Sequence, residues 1–315
     1  MGPTGEPRGV DRCKRRVLRV LVAVVALLVL MGDAATSPGS TGGSRNGRIA
    51  FWSDRAGDPD VFTMDVDGSG PKNLGREGSG DKRASWSPDG DRLVFDSWFA
   101  GKREFDLWLM DPEGGHKQQL TTSPLRDVLP AWSPDGRWIA FTRKRANSKT
   151  EDLWLIRPNG TGSHMLTRVG SGPAWSPDSR RLVFASWRNG SADMYVIDRS
   201  GRNRTRLTRT KVDEGPSAGS WSPDGRKILF TRWPIGGFGD VFVMDVADRR
   251  VRRLTSSTGE DGDASWSPDG TQIVFGSTRD GNPEVYVMDA DGSHQRNLTR
   301  STSEDFADTW QPLRR

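Results

Sequence analysis

Ser265-Trp266-Ser267-Pro268-Asp269-Gly270-Thr271-Gln272-Ile273-Val274-Phe275 is the stretch that decides the fold. Its middle is a turn: proline presets φ, aspartate bonds back to nearby backbone, and glycine supplies φ > 0. The β-branched and aromatic residues that follow read as a strand. Matching positions are anchored on Trp86, Trp132, Trp175, Trp221, Trp266 and Trp310, spaced by 46, 43, 46, 45 and 44 residues. A period in the mid-forties with four strands per unit marks a β-propeller.

The last full repeat shows the predicted unit. Ala264–Ser267 is a short first strand, Gln272–Gly276 the second and Glu284–Asp289 the third. Asp291-Gly292 is a hairpin signal, and Gln295–Thr299 is the fourth strand. Second strands centre on Phe51, Phe95, Phe141, Phe184, Phe230 and Phe275. Third strands open with Asp60, Asp106, Asp152, Asp193, Asp240 and Glu284, and fourth strands close on a leucine. Ser179 stands where the other turns carry glycine, a left-handed position costing roughly 1 kcal/mol.

The two ends complete each other. Asn46–Phe51 reads as a turn and second strand without a tryptophan before it, and Trp310-Gln311-Pro312 as a first strand with nothing after it. The prediction is an all-β, six-bladed β-propeller with four antiparallel strands per blade. Its ring is closed by the C-terminal strand joining the N-terminal blade, which hides the sheet edges.

The pattern Trp-Ser-Pro-Asp-Gly-x-x-Ile/Leu-Val/Leu-Phe, then Val/Leu-x-x-Met/Ile-Asp, then Leu-Thr, resembles the propeller repeat of the periplasmic TolB family. The resemblance covers about residues 46–312. It implies a propeller of the kind used by binding proteins and as an accessory domain of serine peptidases. TolB itself carries an α/β domain before its propeller, whereas here about ten residues separate the N-terminal segment from the first blade.

Residues 1–34 read as a signal peptide or an uncleaved anchor. Arg12, Lys14, Arg15, Arg16 and Arg19 precede an apolar run from Val20 to Met31, short for a membrane span. Gly32-Asp33-Ala34 offers small residues for cleavage, and residues 35–45 form a linker before the propeller of 46–315. Cys13, the only cysteine, precedes the apolar run, so the mature chain has no thiol chemistry. Residues 1–34 hold six basic and three acidic residues, leaving a net charge near +2 on the rest. That is too little for a nucleic-acid footprint. The expected setting is periplasm, cell envelope or secretion, with a monomer touching membrane only through an uncleaved N-terminal segment.

Catalytic signals are missing from the pattern. His116, His164 and His294 each follow a hairpin glycine on a different blade, so they do not converge on one metal or triad. There is no Gly-x-Ser-x-Gly elbow. Asp65-Val-Asp67-Gly68 and Asp289-Ala-Asp291-Gly292 resemble calcium loops, but position twelve is Arg76 or Arg300. No catalytic residue, metal or cofactor is expected.

Residues that break the repeat are free to serve a ligand. Three positions after the strand-two phenylalanine stand Trp98, Trp187 and Trp233, beside Phe99, Arg188, Ile235 and Phe238. Tryptophan and arginine in polar loops suit a protein or peptide interface. Isolated tryptophans also suit a cell-wall polysaccharide, and a carboxylate-held metal would suit a lyase or lactonase. Asp81, Asp127, Asp261 and Asp305 recur five residues before the tryptophan, near the expected channel mouth. They read either as caps for loop amides or as a ring of carboxylates for a cation or a basic peptide end.

Overall fold

The computed structural model describes residues 46–75, 78–99, 104–144, 150–187, 190–217 and 219–313. Among them are twenty-four strands, β1 to β24 in chain order, in six four-stranded sheets. The sheets lie in the compact unit Gly42–Arg315. Blade one is built from both ends of the chain. Its order is β24 (Asp305–Trp310), β1 (Ile49–Ser53), β2 (Asp60–Met64) and β3 (Lys72–Asn73). Antiparallel pairing of Ile49 with Trp310 and Ser53 with Asp305 closes the ring.

The core is made between blades rather than inside them. Six apolar clusters each straddle two neighbouring blades. At the closing seam Ile49, Phe51, Met64 and Trp310 of blade one pack with Val274, Val285, Val287 and Leu298 of blade six. The same residue types recur at the other five seams. All six strand-two phenylalanines are essentially buried. Full burial of such a side chain contributes roughly 1.5–3 kcal/mol.

The Ser-Pro-Asp-Gly turns form one face of the ring, the turn face. In each, the serine hydroxyl donates to the aspartate, as at Ser133–Asp135 (2.7 Å), and the aspartate accepts the amide two residues on. Ser179 does take the left-handed conformation, at φ 58°. Its hydroxyl accepts the amide of Asp135 from the preceding blade at 2.9 Å, a bond that glycine could not make. The strand-three acids tie strand four in place, as when Asp106 accepts from Gln119 (2.8 Å) and Asp240 from Arg253 (2.6 Å).

Two local readings need correction. The innermost strand of blade six is not Ala264–Ser267 but β20 (Asp261–Trp266), longer and bulged, with a register shift between Gly262 and Ser265. Its fourth strand is only β23 (Arg296–Asn297): beyond it the Leu298 amide still reaches the Val285 carbonyl (2.8 Å), but the return bond from the Val285 amide goes to the Thr299 hydroxyl (3.1 Å).

Candidate functional site

The inner strands β4 (Ser79–Trp86), β8 (Arg126–Trp132), β12 (Ser171–Trp175), β16 (Asp213–Gly215), β20 and β24 surround a central channel. Three positions before the tryptophan, Arg83, Leu129, Gly172 and Asp263 adopt φ between 50° and 62°. These are bulges, and bulges re-aim side chains. Arg83, Leu129 and Asp263 thereby line the channel, at roughly 1 kcal/mol of backbone strain each.

The four pre-tryptophan acids lie where those inner strands begin, on the face opposite the turns. All are buried, and each is held by a cation of its own blade. Arg55 meets Asp305 at 2.7 Å, Lys117 meets Asp81 at 3.2 Å and Arg279 meets Asp261 at 3.1 Å. Arg143 grips Asp127 through Nε (2.6 Å) and Nη2 (2.7 Å). Burial pushes the Asp127 carboxyl up, and Arg143 opposes that shift.

A fifth acid belongs to the set. Glu214 pairs with Arg232 at 2.6 Å, in register with the second position after Phe230, as Asp261 is with the second after Phe275. It sits seven residues before Trp221 rather than five, so simple spacing misses it. Blade four has Gly170, where a Cβ would come within 2.8 Å of Phe184. Each guanidinium also covers the aromatic rings of strands two and three, as Arg279 does Phe275 (5.5 Å) and Tyr286 (4.8 Å). Acid, cation and ring form a repeated unit that fixes the loop face.

That face carries the exposed aromatics. Trp187 is 46% exposed, Trp233 37%, Phe238 59% and Ile235 87%. Trp187 and Trp233 line a 440 Å³ cavity at the channel mouth, together with Trp52 and Phe306. Trp52 and Phe306 stack with centroids 4.0 Å apart, and the Lys82 ammonium lies 4.1 Å from the Trp52 ring. The Trp233 indole donates to Glu260, whose other oxygen accepts the Gly239 amide at 2.8 Å. Trp98 is half-buried and leans on its own blade; a Cβ on Gly80 would meet its indole nitrogen. The sequence pointed to Trp187 and Trp233. It gave no reason to choose Trp52, which neighbours a core phenylalanine. Arg188, the Phe99 side chain and residues 1–45 lie outside the described residues.

Deeper in the channel the charge is mostly negative. Asp96 is fully buried, accepts from Arg83 (3.1 Å) and from the Leu129 amide (3.3 Å), and is pushed up to about 6 by burial. Asp263 and Asp308 on the channel wall are also raised by desolvation, and Asp308 feels the charges of Asp263 and Asp96 as well. Among the described residues no three His, Cys, Asp or Glu converge to hold a metal. The three histidines sit exposed on separate hairpins of the turn face, two of them against hairpin aspartates. The arrangement supplies an apolar rim around a channel that favours positive charge.

Known proteins share this architecture. TolB from Acinetobacter baumannii superposes with a TM-score of 0.73 at 24% identity, over 86% of this chain and 68% of that one. A TolB-like protein from Agrobacterium tumefaciens gives 0.64 at 22% identity, over 86% and 100%. Oligogalacturonate lyase from Vibrio parahaemolyticus gives 0.55 at 13%, over 81% and 75%. At these identities the likeness shows the fold alone. The sequence profile of the TolB β-propeller domain matches residues 36–171 and 216–313, most of the chain. The chain belongs to the TolB β-propeller domain family.

Proposed function

We propose that the chain is an exported, non-enzymatic binding scaffold of the bacterial cell envelope. It engages a protein or peptide partner through the loop-face mouth of its channel. The observation that carries this reading is the clustering of Trp187, Trp233, Ile235 and Phe238, all exposed, on blades four and five of one face. Contiguous apolar side chains in otherwise polar loops mark interaction sites, and tryptophans anchor them. Membership of the TolB family and the leader-like residues 1–34 support export and an envelope partner.

A polysaccharide is the second reading, favoured by one contact: the Trp233 indole sits against the Glu260 carboxylate, a stacking ring beside a hydroxyl acceptor. Ile235 and Phe238 favour protein, because they widen the patch beyond a single stacking platform. The test is capture of envelope proteins by the purified chain and by its W187A/W233A variant. Loss of the captured protein, with melting unchanged, supports the reading. Equal capture by both forms contradicts it.

A further inference from the structure

The hairpins between strands three and four break the repeat in charge. In blades six, one and two they carry Asp289 and Asp291, Asp65 and Asp67, and Asp111 and Glu113. In blades three, four and five the corresponding turns carry Arg157, then Asp198 with Arg199 and Arg202, then Asp245 and Asp248 with Arg249 and Arg250. Counted over these residues, the first three hairpins each carry a net charge of −2, and those of blades three, four and five carry +1, +1 and 0. Turn geometry alone does not require this.

Basic residues are concentrated on the turn face and outer edge of blades four and five. From residue 199 to 212 there are six basic residues and no acid. Arg180, Arg202, Arg204, Arg226, Arg249 and Arg252 are exposed, and among the described residues none has an ion-pair partner. Their neighbours differ: Arg199 pairs with Asp135, Arg206 with Asp193 and Arg253 with Asp240. The free arginines are contiguous. The Arg199 amide bonds the Arg180 carbonyl (2.8 Å), and the Arg249 side chain crosses to the Arg206 carbonyl of blade four (3.4 Å). The nearby acids Asp178, Asp198 and Asp224 accept from Ser176, Asn203 and Ser222, and Asp248 lies 3.9 Å from Arg250; the charges of Arg180, Arg226 and Arg252 reach Asp178, Asp224 and Asp291 without a direct ion pair.

We infer that this edge docks on an anionic lipid bilayer. Clusters of four to eight Lys or Arg at a surface bind acidic headgroups, each adding about fivefold in affinity at moderate salt. Six unpaired guanidiniums fall in that range, and a guanidinium presents a planar fork that matches phosphate. The acidic hairpins of blades six, one and two are repelled by the same surface, so the ring meets it tilted onto blades four and five. The chain also enters the ring on the turn face, where the Asn46 side chain accepts the Asp269 amide at 3.3 Å. Docked this way, the apolar loop face stays clear of the lipid. The inference is independent of which partner that face binds.

The experiment uses residues 42–315, which hold all six blades and the closing contacts. Flotation is measured with vesicles of phosphatidylcholine alone and with 30% phosphatidylglycerol. Binding is expected only to the anionic vesicles, falling steeply between 50 and 500 mM salt. The variant R202E/R204E/R249E/R252E should lose at least a hundredfold, at fivefold or more per residue. If that variant melts early, R202Q/R249Q should lose about twentyfold with melting preserved. Equal flotation on neutral vesicles overturns the inference. So does wild-type binding by the charge variants, or binding to soluble polyphosphate without binding to vesicles.

Discussion

Trp52 and Phe306 stack face to face, their centroids 4.0 Å apart and their planes 7° from parallel. One residue comes from the first described strand and the other from the last. The contact therefore joins ring closure to the rim of the channel. Trp52→Ala should destabilise by about 2 kcal/mol, below the full cost of a core tryptophan because the ring is half-exposed. It should also weaken partner capture. Denaturant unfolding and capture assays check the two effects separately.

The pairing of Arg143 with Asp127 predicts a non-additive pair. Asp127→Ala leaves a guanidinium largely buried without its carboxylate and should cost about 3 kcal/mol. Replacing both by apolar residues of similar volume should cost less than the two single changes together. A double-mutant cycle in chemical denaturation measures the coupling.

Ser179 gives a sharper local test. Ser179→Ala keeps the left-handed strain and loses the hydroxyl that accepts the Asp135 amide, so it should destabilise by about 1 kcal/mol. Ser179→Gly loses the same bond but relieves the strain, and should be nearly neutral. Thermal melting of the two variants, side by side, decides between these outcomes.

Stability should peak in mildly acid solution. Asp96, at about 6, together with Asp263 and Asp308, is raised by desolvation in the folded chain. A raised carboxyl disfavours folding once ionised, so its penalty fades as pH falls from above 6 toward 4. The turn aspartates Asp89 and Asp224 are lowered, chiefly by their serine hydrogen bonds. Their contribution is present above pH 4 and is lost as pH falls below it. Melting temperature is expected to rise from pH 8 to about 5 and to drop below 4. Asp96→Asn should flatten the upper part of that profile.

The repeat made the ring, the closure and the turn chemistry legible, because each is set by local residue types at a fixed period. The inner strands were harder. Their bulges place Arg83, Leu129 and Asp263 at positive φ, a conformation that none of these residues signals. Glu214 was hidden by a shift of two residues, and Trp52 by its position beside Phe51. Of the aromatic loop residues, Trp187 and Trp233 share one cavity while Trp98 packs on its own blade. Periodicity finds which residues leave the pattern, but only packing decides which of them meet.

The most direct test of the binding reading places a photo-reactive residue at position 187, at 233, or at 271 on the opposite face, in intact envelopes. The account predicts one common crosslinked protein from 187 and 233 and none from 271. Crosslinking from 271 alone would contradict it.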